Sequence, residues 1–126
     1  MLAVLRGIPG GDLVLARWSR WTRTWTLGCA VTLPGEHPGD LVALPNGEVL
    51  LSFGERVIAP LGVRARRSRD AGRTWEAPFV VATVPPGSDI GYPSAVAVGD
   101  SVLTMYYANT PGPDGQLALY TARYRR

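Results

Sequence analysis

The sequence predicts an all-β fold, a partial β-propeller of about two four-stranded antiparallel blades plus part of a third. Three observations carry that prediction. The 15 glycines and 11 prolines of the 126 residues fall every few positions, and no stretch holds an apolar helical period for three turns. Short apolar runs such as "EVLLSF" and "SVLTMYY" alternate with turn residues, as in strands joined by hairpins. The chain also repeats itself at roughly 50 residues, a spacing typical of propeller blades.

The repeat sets the organisation. Residues 1–35 read as the remnant of a blade, 36–84 as a blade, and 85–126 as the next blade, incomplete. One copy opens at His37-Pro38, continues through "GDLVALPNGEVLLSF" and closes with "GVRARRSRDAGRTW". The next opens at Tyr92-Pro93, 55 residues later, with "SAVAVGDSVLTMYYANT", a loop containing "PGPDG", and "QLALYTARY". An older half-copy precedes both: "RTWTLGCAVTLP" (23–34) resembles "RTWEAPFVVATVPP" (73–86), 50 residues on. Asn46-Gly47 and Gly99-Asp100 separate strand-like runs, and tight hairpins favour such residues because they need positive φ angles.

The stretch "SRDAGRTW" (68–75) lies between the third strand of its copy, 62–67, and the fourth, 79–83, so it is a hairpin connection. Asp70 has a short acceptor side chain that closes a turn on nearby backbone N–H groups. Gly72 supplies a backbone angle that other residues resist. Trp75 is expected to bury its ring against the flank of the blade. A carboxylate committed to backbone donors is a poor acid or base, so Asp70 reads as architecture.

Composition narrows the function. With 46% hydrophobic and 18% charged residues the chain has the makings of one globular domain, and no apolar run approaches the roughly 20 residues of a membrane helix. The start, "MLAVLRGIPGG", has too few apolar residues before Arg6 for the core of a secretory signal, and no compartment is assigned. Cys29 and His37 are the single cysteine and histidine, so neither a disulfide nor a zinc site is expected, and no cofactor is implied. The net charge of +3 comes from thirteen arginines and no lysine. "RWSRWTRTW" interleaves arginine with tryptophan as nucleic-acid binders do, yet such strands also form ordinary sheet edges, and no nucleic-acid partner is expected.

Ser68, Asp70, Gly72, Thr74 and Trp75 match all five positions of the Asp-box, Ser-x-Asp-x-Gly-x-Thr-Trp, and "WSRWTRTW" keeps Thr24 and Trp25 of a degenerate copy. The chain thereby resembles the sialidase (neuraminidase) superfamily of Asp-box propellers. "DIGYPSAVAVGDSVLTMYYAN" with "LALYTARY" resembles the family's final blades, and "LLSFGERVIAPLGVRARRSRDAGRTW" the blade before them, so the likeness spans roughly residues 36–126. It implies the C-terminal blades of a retaining glycoside hydrolase acting on a glycan or sialoside-like substrate, with Tyr92 as nucleophile. Sialic acid carries a carboxylate on its anomeric carbon, which repels a carboxylate nucleophile and favours a phenol. The resemblance makes Arg56 the anchor for the substrate carboxylate, with Arg64 as reserve, since a planar guanidinium suits that task.

His37 and Tyr92 occupy equivalent strand starts and are expected to approach each other near the propeller axis, where His37 is a candidate for substrate contact. Arg64, Arg66, Arg67 and Glu55 read as a solvated strand face. The sequence departs from the family at Tyr107, where glutamate is common, and at Pro93, where serine is frequent. The family's acid/base aspartate, its first arginine and the glutamate partner of the tyrosine lie in earlier blades, so this chain by itself is expected to be inactive. Upstream blades or self-association would complete it. The alternative reading is a non-catalytic Asp-box propeller segment that binds carbohydrate or protein.

Overall fold

The structure, a computed structural model, describes residues 1–109 and 115–125. Ten strands make up the described residues: β1 (Leu2–Arg6), β2 (Leu13–Ser19), β3 (Thr24–Ala30), β4 (Glu36–Ala43), β5 (Val49–Glu55), β6 (Gly62–Ser68), β7 (Phe79–Thr83), β8 (Ile90–Val98), β9 (Ser101–Asn109) and β10 (Leu117–Arg125). They form three open antiparallel sheets, β1-β2-β3, β4-β5-β6-β7 and β8-β9-β10, with no helix among the described residues. Most of the "PGPDG" loop, residues 111–114, lies outside them.

Each strand pairs with its sequence neighbour, so every sheet is a meander whose register follows from alternating side chains. The middle sheet is buried on both faces. On one side Leu51 and Phe53 pack with Leu13, Leu15 and Val31, and Leu2, Val4, Leu41 and Trp75 close that layer. On the other side Leu50 and Ala65 meet Val102, with Ala95, Ala97 and Tyr124 around them. Val63, Ile90, Tyr106 and Ala108 extend this second layer. Phe53, Leu51 and Val63 are completely buried, because only a central strand covered on both faces can hide side chains of both parities.

The turn at 68–75 is tied by its own side chains. Asp70 Oδ1 accepts the backbone N–H groups of Arg73 (2.9 Å) and Thr74 (2.8 Å), and its Oδ2 accepts the Thr74 hydroxyl (2.6 Å). The Ser68 hydroxyl accepts the N–H of Gly72 at 2.7 Å, and Gly72 has φ +81°. These donors, the Thr74 hydroxyl first, hold the Asp70 carboxyl far below the usual carboxylate range. Trp75 packs against the first core layer but is only half-buried, less deep than the sequence implies. The degenerate copy differs further. Trp25 lies inside β3, paired with Trp18 across the strands with ring centroids 5.5 Å apart, because no acidic side chain ties a turn there.

A second correction concerns the arginines of β6. Arg64, Arg66 and Arg67 are half-buried and not a solvated face: Arg66 Nη1 donates to the Val31 carbonyl at 2.6 Å, and Arg64 Nε lies 3.5 Å from the fully buried Glu55. The first sheet covers Arg64 and Arg66, which share the face of Leu51 and Phe53, while Arg67 lies on the opposite face with its Nε 3.6 Å from Glu48.

The depressed value at Asp70 carries a pH signature. Its contribution is fully present above the ordinary carboxylate pKa and is lost progressively as pH falls from there through the depressed value. Asp70→Asn is expected to lower the melting temperature at neutral pH, with the gap to the parent narrowing in strong acid. Thermal melts from neutral pH down to about pH 2 measure this.

Candidate functional site

One end of all three sheets gathers the chemistry. The starts of β4 and β8 lie there, with the ends of β1, β5 and β9 beside them. Both β4 and β8 shift register at the same place, between Glu36 and Gly39 and between Gly91 and Ser94. His37-Pro38 and Tyr92-Pro93 fill these irregularities, which re-aim side chains out of the pleat. The two strands come together through glycines. A methyl on Gly54 would stand 2.9 Å from the His37 carbonyl oxygen, and one on Gly91 would stand 2.6 Å from Arg56 Nη2. The Gly54 contact lies within the middle sheet; between the sheets, a methyl on Gly91 would also stand 3.4 Å from Pro38 Cδ, so glycine there lets β8 lie close to β4.

Arg56, one residue past β5, binds the site together. Its Nε donates to the His37 carbonyl at 3.2 Å, its Nη1 to Asp89 Oδ1 at 2.8 Å and its Nη2 to the Tyr107 hydroxyl at 3.3 Å. Tyr107 in turn donates to Asp89 Oδ2 at 2.9 Å, which closes a three-membered polar ring. Tyr92 stacks on Tyr107 with ring centroids 5.8 Å apart. Its backbone sits at φ +49°, a region uncommon for a bulky residue, and its side chain is left 69% exposed. Such strained, outward-facing residues concentrate at functional sites. The Tyr92 hydroxyl has no hydrogen-bond partner among the described residues.

His37 is half-buried, its ring against Gly11 of the β1–β2 loop. Burial, then the charges of Arg6 and Arg56, push its pKa below the ordinary value of 6.5, so the ring is neutral near neutral pH. Its Nδ1 is buried and unpartnered among the described residues. Behind the site Glu36 and Glu55 face each other across β4 and β5, both buried. Glu55 Oε1 accepts the N–H groups of Val57 and Ile58 at 2.8 Å, and Glu36 Oε2 accepts that of Leu33 at 2.6 Å. Burial, and then the neighbouring Glu55, raise the Glu36 pKa. The pair anchors the flanking loops, with Glu55 a loop ligand below the surface.

Of the sequence-derived candidates, Tyr92, Arg56 and His37 are brought together. Arg64 is not: its guanidinium donates to the Ile58 carbonyl at 3.2 Å and neighbours Glu55. The Asp-box residues Ser68, Asp70, Gly72, Thr74 and Trp75 stand at the opposite end of the middle sheet, since Ser68 pairs with Val49 while Gly62 pairs with Glu55. Seven-residue strands put about 20 Å between the two ends. Sequence reasoning missed Asp89 and Arg6 and treated Tyr107 only as a departure. Arg6 carried a signal, because it precedes Arg56 by the same 50 residues that separate Trp25 from Trp75. Asp89 carried none; it matters only because the chain folds it onto Arg56.

No family model matches the chain, and no curated protein sequence matches it. Among solved structures it is similar to a PL25 polysaccharide lyase, ulvan lyase, bound to -[GlcA(1-4)Rha3S]-, with a TM-score of 0.68 and 17% identity. A second structure of the PL25 ulvan lyase has the same score and identity. The match covers 91% of this chain but 30% of the lyase, so this chain spans under a third of that protein's length. At that identity the likeness is one of fold. Among the described residues no cluster of acidic, histidine or cysteine side chains is arranged to hold a metal ion.

The single histidine offers a clean probe. An NMR titration is expected to place its pKa below 6.5, and Arg6→Gln is expected to move it back up. The corresponding stability is present above the unfolded value of about 6.5 and is lost as pH falls through the lowered one. A value at or above 6.5 in the folded chain would contradict this electrostatic account.

Proposed function

We propose that this chain is a segment of a carbohydrate-active β-propeller, its three sheets being successive blades, and that Tyr92, Arg56 and His37 line a mouth for an acidic saccharide. The observation that carries this reading is the strained, exposed Tyr92, stacked on Tyr107 beside Arg56 at the end where the sheets converge. An aromatic face supports a sugar ring, and an adjoining guanidinium supplies donors for a carboxylate or sulfate. The fold likeness to a polysaccharide lyase bound to -[GlcA(1-4)Rha3S]-, a saccharide with a uronic acid, supports the choice of substrate class.

The finer form of the proposal is the sialidase-like one. In a longer parent or a completed assembly, Tyr92 attacks the anomeric carbon, and a retaining hydrolysis follows through a covalent intermediate. The matched Asp-box and the outward phenol support it. Two features of the site shape it. Asp89 already occupies one edge of Arg56, so a substrate carboxylate uses the remaining N–H groups or displaces Asp89. No carboxylate touches the Tyr92 hydroxyl among the described residues, so the group that accepts its proton comes from outside them. That second feature favours an alternative in which this chain is a non-catalytic glycan-binding module.

Calorimetric titration with sialyl and uronate oligosaccharides, against neutral ones of equal length, tests the common core of both readings. Acidic saccharides are expected to bind in a salt-sensitive manner, and Tyr92→Ala to weaken binding by about tenfold, the loss of one stacking contact. Equal binding of neutral sugars, or none of either, would sink the proposal. The chain is expected to leave a fluorogenic sialoside intact; turnover abolished by Tyr92→Phe would instead place complete catalytic machinery within these residues.

A further inference from the structure

Two arginines stand at the rim, and they are not equivalent. Arg56 is engaged within the fold: its Nε, Nη1 and Nη2 donate to the His37 carbonyl, Asp89 and the Tyr107 hydroxyl. Asp89, 2.8 Å away, also offsets its charge. Arg6, the last residue of β1, has neither kind of partner. Among the described residues it makes no ion pair and donates no side-chain hydrogen bond. Strand pairing sets the side on which it lies. Arg6 stands opposite Leu13 as Val4 stands opposite Leu15, and Val4, Leu13 and Leu15 all pack on the middle sheet. Residues directly opposite in an antiparallel pair share a face. Arg6 therefore continues that inward face one step beyond the apolar layer, where it is exposed. Leu13 in turn lies against Gly39 of β4, two residues from His37. The lowered pKa of His37, to which the Arg6 charge contributes, agrees with this placement.

Resting on the acidic-saccharide reading, we propose that Arg6, and not Arg56, receives the anionic group of the ligand, a carboxylate or a sulfate ester. An anion arriving at Arg56 competes with Asp89, a carboxylate that Tyr107 also holds in place. At Arg6 it meets no such rival, and a guanidinium presents paired N–H groups that match a carboxylate or sulfate. Arg56 then acts as a positioning residue. It fixes the Tyr107 ring, and Tyr107 supports the stacked Tyr92. His37 lies between the two tasks. Its ring is neutral near neutral pH, and an anion bound at Arg6 offsets part of the positive charge that keeps it so. Stacking is thus supplied by the third sheet and charge recognition by the first, with the middle sheet holding them in register.

Calorimetric titration with a uronate oligosaccharide, a neutral one carrying a sulfate ester and an uncharged one tests this. Arg6→Gln is expected to raise the Kd for an anionic ligand by about tenfold, the loss of one charge-assisted contact, and Arg6→Lys to restore part of it. Arg20→Gln removes the same charge from the β2–β3 turn, at the opposite end of the first sheet, and is expected to change Kd by less than about twofold. Whichever anionic ligand loses affinity in Arg6→Gln identifies the group recognised. NMR adds a readout that a merely structural role would not move. The anionic ligand is expected to raise the His37 pKa in the parent and to leave it in place in Arg6→Gln. An Arg6→Gln chain that binds the anionic ligands as tightly as the parent, or an Arg20→Gln chain weakened equally, overturns the Arg6 assignment and leaves the saccharide reading standing. A parent that binds none of the three, or the uncharged one equally well, overturns the saccharide reading itself.

Discussion

The guanidinium of Arg56 ties the middle sheet to the third at the candidate site. It reaches back to the His37 carbonyl on β4 and forward to Asp89 and Tyr107, which flank β8. A single planar group with donors in fixed directions thereby sets the spacing between the middle and third sheets where they open to solvent. Remove it, and Asp89 and Tyr107 lose the charge that aligns them while the close approach at Gly54 and Gly91 loses its clamp.

Beneath that clamp the structure is governed by sheets that must hide two faces. The middle sheet succeeds, which explains why a chain of this size has completely buried side chains of both parities on β5. The outer two succeed on one face each. The same geometry that buries the core therefore decides where polar chemistry collects. Strand ends of three sheets converge at one rim, and matching irregularities in β4 and β8 turn His37 and Tyr92 toward it. Function and packing here have one cause, the repeated stacking of like sheets.

Individual residues show how far sequence carries. The strands from Val49 to Asn109 were legible because alternating apolar residues and turn dipeptides report local physics. The tie of Asp70 to Thr74 was legible for the same reason, since every partner lies within four residues. Tyr92 and His37 stood out through their equivalent places in the repeat. The resemblance puts Arg56 ahead of Arg64 with no local reason; in the structure Arg64 lies within β6 beside the buried Glu55, while Arg56, just past β5, pairs with Asp89. Trp25 and Trp75 share a motif position yet settle differently, one paired with Trp18 across strands and one packed on the core.

Sequence by itself determined the all-β character, the hairpin order and the self-closing turn at 68–75, all consequences of interactions between near neighbours along the chain. Tertiary structure alone decided that Asp89 and Tyr107 belong to the site, that Arg6 presses on His37 and that the arginines of β6 are covered. Those facts depend on contacts between residues tens of positions apart, whose energy appears only after the sheets have stacked and water has left the space between them.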